Sequence, residues 1–108
     1  MISKELLNEV LQKEAEIGDK SILGESYVEY KIVLPGGGKI IRDVNIYELA
    51  YKCKEWAYKR GFLIGSNCRQ GITAIDINTH IVLNHFDVDI EDFTEFEIKA
   101  CQWILENK

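Results

Sequence analysis

Cys68 lies in a polar stretch, Asn67-Cys68-Arg69-Gln70-Gly71, directly beside a permanent cation. A neighbouring positive charge draws a thiol toward the nucleophilic thiolate. A thiol enzyme built there would also need a base, which His80 or His85 could supply, with Asp76 orienting the imidazole. Nothing local fixes that geometry, and a small structural cysteine is the simpler reading. No catalytic residue is assigned, and the chain is read as non-enzymatic, with thiol chemistry at Cys68 as a distant alternative.

Three other constellations fail on their own chemistry. Pro35-Gly36-Gly37-Gly38-Lys39 offers glycine N–H groups and a lysine to an anion. A phosphate loop, however, needs longer spacing, a hydroxyl after the lysine and a helix to follow, whereas Ile40 and Ile41 continue into a strand. Asp87-Val88-Asp89-Ile90-Glu91-Asp92 alternates acids like the start of a calcium loop, but Asp92 stands where the glycine belongs and Ile98 where the bidentate acid belongs. His80 and His85 are an odd number of positions apart, so a regular strand points them to opposite faces. No metal site and no cofactor are expected.

The second helix carries the remaining candidate. Tyr47, Tyr51, Lys54 and Tyr58 fall at i, i+4, i+7 and i+11, which lines them along one helical face away from the apolar stripe. Around them the charge is sorted: residues 31–70 hold eight Lys and Arg against three Asp and Glu, while the two flanks are acidic and the total is −5. Such sorting either presents a signed surface or cancels when the segments meet in the fold. The leading reading is a protein-interaction module that uses Tyr47, Tyr51, Lys54 and Tyr58 with Lys39, Arg42, Arg60 and Arg69, a second copy of the chain being one candidate partner. The rival is nucleic-acid binding through the same cations and Lys59. The bland alternative is that another helix, the first above all, covers the tyrosine rings.

The elements that must position these residues are legible from periodicity. Ser3 to about Glu16 reads as an amphipathic helix with Ser3 as its cap, and a loop is expected from Gly18 to about Glu25. Tyr27 to Leu34 alternates as a strand, and Lys39 to Val44 restarts after the glycine tip to close a hairpin. Asn45 opens a helix over about 45–60, with Glu48 placed to complete a capping box and Gly61 as the stop. Three further strands follow at 62–66, 72–77 and 80–86. A last helix has Thr94 as a cap and Glu97 as its reciprocal acid, or a start at Asp89 or Asp92. Lys52 to Trp56 and Lys99 to Trp103 echo each other weakly, without a matching distance to the cap.

The expected fold is α+β, a single domain over 1–108 in the order α-β-β-α-β-β-β-α, with an antiparallel sheet of about five strands covered by helices on one face. The N-terminus lacks the basic start and unbroken apolar run of an export signal, and every hydrophobic run is interrupted by charge. A soluble, cytoplasmic protein with no membrane partner is expected. Cys53, Cys68 and Cys101 are then reduced thiols.

Overall fold

In the computed structural model, which describes residues 2–20, 23, 24, 26–67 and 71–108 (Asp19 and Lys20 by backbone alone), Ser3 caps α1 (Lys4–Leu11) by accepting from the Leu6 N–H at 3.1 Å. The helix ends earlier than its periodicity suggests. Gln12 turns left-handed, and Asn8 Oδ1 then accepts the Ala15 N–H at 2.6 Å, starting a strand where the sequence reads helix and loop. That strand is β1 (Ala15–Lys20); β2 (Tyr27–Val33) and β3 (Lys39–Asn45) follow as the expected hairpin. Asn45 caps α2 (Ile46–Lys59) by accepting from Tyr47 N at 2.9 Å, and Gly61, at φ 94°, adopts the left-handed conformation that closes it. Glu48 does not complete a capping box. Its carboxylate lies 3.6 Å from Lys52 instead.

The rest of the chain is β4 (Phe62–Asn67), β5 (Gly71–Asp76), β6 (Val82–Phe86), a single 3-10 turn at Ile90–Asp92 and α3 (Phe93–Asn107). Thr94 is therefore inside α3 rather than its cap. Asp92 takes the cap position without a side-chain bond.

The fold class is α+β, but the expected single sheet is corrected to two. β1-β2-β3 form one antiparallel sheet (sheet 1) and β4-β5-β6 another (sheet 2), so the order is α-β-β-β-α-β-β-β-α. The five-strand expectation failed because β1 was missed and because α2, running from the end of β3 into β4, joins two meanders that share no ladder.

Pairing register decides which residues meet the helices. In sheet 2 Ile64 and Ala74 are partners and Ile72 pairs with Phe86, placing Ile64, Ile72, Ala74 and Phe86 on the helix side. Ile72 and Ala74 are fully buried there with Ile98, Ala100, Cys101 and Ile104 of α3 and Leu49, Cys53 and Ala57 of α2. In sheet 1 the helix-side rows are Ala15, Ile32, Ile40, then Ile17, Tyr30, Arg42, then Val28, Val44. Of these only Ala15 and Val44 are buried, Ala15 wholly, under α1 with Leu6 and Leu7. No helix among the described residues is long and apolar enough to cross a membrane.

Candidate functional site

α2 has two flanks, and the packing of its neighbours tells them apart. On one side α3 approaches: Lys54 Nζ lies 2.9 Å from Glu97 Oε2, and Ser66 Oγ of β4 donates to the same oxygen at 2.8 Å. On the other, Lys52, Glu55, Trp56, Lys59 and Arg60 face the end of α1 and residues Tyr30 and Ile32 of β2 across a groove. The apolar stripe of α2 points between them into the core.

Tyr47, Tyr51 and Tyr58 stand on the outward face of α2, turned away from its buried stripe, with exposures of 63%, 64% and 62%. α1 does not cover them. Eleven residues of helix separate the first ring from the last, about 16 Å along the axis. Three phenols in one row present apolar ring faces and polar tips together, the combination that serves protein interfaces.

The other sequence-selected residues do not join that row in one patch. Lys54 belongs to it by spacing, but its charge is committed to Glu97, whose side chain is only 12% exposed. A carboxylate at that depth requires a partner, and Lys54 with Ser66 supplies both charge and hydrogen bond. Lys39 is tied to Glu16 of β1 at 2.9 Å, and this contact holds the Glu16 carboxyl below its ordinary range. Lys39 and Arg42 project from opposite faces of sheet 1, as their odd spacing on β3 dictates. Arg60 is on the groove flank, 5.0 Å over the Trp56 ring. Arg69 and Cys68 lie outside the described residues.

The charge sorting thus cancels in part. Lys39 is met by an acid from the N-terminal flank and Lys54 by one from the C-terminal flank, while Lys59 lies 3.5 Å from Glu55 on its own helix. Among the described residues Arg42 has no carboxylate partner.

Of the groups considered for thiol chemistry, Asp76 and His80 sit at one end of sheet 2, whereas His85 pairs with Thr73 near the other. His80 sits in the turn between β5 and β6, its N–H donating to the Asp76 carbonyl at 2.8 Å, while Asp76 Oδ1 accepts from Asn78 and Thr79 N–H groups. Asp76 is therefore the staple of a tight turn, not the orienter of an imidazole. That turn is at the far end of sheet 2 from the Asn67↔Gly71 pair, the described residues on either side of Cys68. Cys53 and Cys101 are free, fully buried thiols, and the hydrogen bond between them together with burial pushes the Cys101 thiol far up, away from thiolate reactivity. No cluster of three or more potential metal ligands occurs among the described residues.

Two features escaped the sequence reading. Glu97 was assigned to a helix cap, although its position three and four residues before Ala100 and Cys101 puts it on the buried stripe of α3, a signal that its charge needed a partner. The groove depends on contacts between α1, β2 and α2 that no local pattern encodes. Comparison with protein families, curated proteins and solved structures gives no match to this chain.

Proposed function

We propose that the protein is a small, non-catalytic interaction module that binds a protein partner through the outer flank of α2. The observation that carries this reading is the row of Tyr47, Tyr51 and Tyr58, each more than three-fifths exposed on one rigid helix. Tyrosine concentrates binding energy at interfaces because it buries a large ring at a small cost in side-chain entropy. The helix on which the rings stand is anchored from below by Leu49, Cys53 and Ala57, so the row is pre-organised.

Protein is favoured over nucleic acid by the state of the cations. Binding to phosphates draws its strength from lysines and arginines that can exchange counterions for phosphate. Lys54, the cation within the tyrosine row, is instead closely paired with Glu97, and Lys39 with Glu16, while Lys59 and Arg60 face the groove rather than the row.

The test uses the wild-type chain and a Tyr47→Ser, Tyr51→Ser, Tyr58→Ser triple variant as baits in quantitative affinity capture, with circular dichroism to verify that both are folded. Partners held by the wild type should be lost or weakened by more than about tenfold in the triple variant, as for interfacial aromatic anchors. Identical capture by both would overturn the reading. Labelled oligonucleotides that bind at low salt and are displaced by added salt would favour the rival.

A further inference from the structure

The groove on the flank of α2 away from α3 has a volume of about 620 Å³. Its floor is Trp56 with Tyr30 and Ile32, and its rim carries Lys13, Lys52, Lys59 and Arg60. Glu9 and Glu55 line it too, so positive charge is in excess in a chain whose total is −5. The rim cations are loosely held. Lys52 and Lys59 reach Glu48 and Glu55 only at 3.6 and 3.5 Å, in exposed one-turn pairs that water and salt readily displace. An occupant must therefore bring carboxylates for the rim and an aliphatic group for the floor.

The chain itself carries such a segment. Between β6 and α3, Asp87, Asp89, Glu91 and Asp92 are exposed, and in their midst Ile90 is 66% exposed. None of these four carboxylates forms an ion pair among the described residues, and neither Asp89 nor Asp92 uses its side chain to cap a helix. The segment cannot fill the groove of its own molecule. Val88 and Phe86 lie against Gly71 at one end of sheet 2, whereas Arg60 adjoins Gly61, whose carbonyl accepts the Ile77 N–H at the other end.

We infer that a second copy of the chain docks its 87–92 turn into this groove, with Ile90 seated on Trp56 and Tyr30 and its neighbouring carboxylates set against Lys52, Lys59 and Arg60. The contact is head-to-tail, because groove and turn are different surfaces at different places on each molecule. It goes beyond the tyrosine reading, since none of the three phenols of that row lines the groove.

The experiment is sedimentation equilibrium over a concentration series at low and high salt, with five proteins. The wild type should self-associate, and salt should weaken the association. A groove variant, Lys52→Glu with Lys59→Glu, and a turn variant, Asp89→Lys with Glu91→Lys, should each raise the dissociation constant by more than about tenfold, because like charges then face each other. Mixing these two variants should restore association, since the intact groove of one meets the intact turn of the other. The Tyr47→Ser, Tyr51→Ser, Tyr58→Ser variant should associate like the wild type. Ile90→Ser, which leaves every charge in place, should weaken association and so covers the case in which a charge reversal unfolds the chain. A wild type that stays monomeric, or reversed-charge variants that do not recover on mixing, would overturn the inference. Association lost only in the tyrosine variant would overturn it too, while supporting the proposed function.

Discussion

The two sheets of this molecule are built alike and sealed differently. Each is a three-stranded antiparallel meander with apolar residues alternating toward the helices. Sheet 2 lies under both α2 and α3, and Ile72 and Ala74 at its centre are wholly excluded from water. Sheet 1 has α1 at one end and only an edge of α2, so Ala15 and Val44 are sealed while Ile17 on the same face is 43% exposed and Ile32 faces the groove. With three helices for two sheets, the cover is unequal. The better-covered half serves as the foundation, and the surfaces left open carry the candidate binding features.

The comparison can be broken most forcefully by equal truncations. Ile72→Ala in sheet 2 should lower unfolding free energy by ~2–5 kcal/mol, the range for emptying a packed core site. Ile32→Ala in sheet 1 should cost less, about 1–2 kcal/mol, since its side chain is only partly withdrawn from water. Denaturant melts of both variants decide the matter, and equal losses would mean that the sheets are equally sealed.

Next in size is the polar link that ties α2 to α3. Lys54→Ala leaves Glu97 with Ser66 alone and should destabilise by roughly 2 kcal/mol, less than a fully buried pair would because the Lys54 side chain is 34% exposed. Combining it with Glu97→Met should recover most of that loss in thermal or denaturant unfolding.

Turn glycines sharpen the contrast further. Gly71, at φ 90°, enters β5 where an added Cβ would strike the Phe86 carbonyl, so Gly71→Ala should cost about 1–3 kcal/mol. Gly36, at φ 98° in the tip of the sheet 1 hairpin, has open space around it, so Gly36→Ala carries only the backbone strain of a side chain at positive φ and should cost about 1–2 kcal/mol in the same measurement, less than Gly71→Ala.

The smallest effect concerns pH. Lys39 holds the Glu16 carboxyl below its unfolded value, so the pair stabilises sheet 1 above the ordinary carboxylate range and loses that contribution as pH falls through the lowered value. The difference in stability between wild type and Lys39→Ala should therefore be greatest near neutrality and vanish in acid. A difference that persists in acid would mean that Lys39 acts by packing alone.

What could be read from the chain followed the distance over which each feature is encoded. α2 was legible because Asn45, its apolar stripe and Gly61 all lie within one segment and agree with one another. The hairpin was legible for the same reason, since Leu34 and Gly38 close its tip locally. β1 was hidden because Ala15 and Ile17 are its only larger apolar residues, and its strand character comes from pairing with β2. Whether two meanders fuse into one sheet is likewise a long-range fact, set by which edges meet. At the candidate site, the spacing of Tyr47, Tyr51 and Tyr58 was local and held as one exposed row. The fate of Lys39 and Lys54 was not local, because each is matched by a carboxylate more than twenty positions away.

The molecule measures 44 × 28 × 17 Å, and its radius of gyration of 14.6 Å exceeds the ~13 Å of a rounder chain of this length. A flattened body experiences more drag than a sphere of equal mass. A single copy will therefore leave a gel-filtration column early, with the apparent weight of something larger. Assigning its stoichiometry accordingly calls for a mass determination that does not depend on shape.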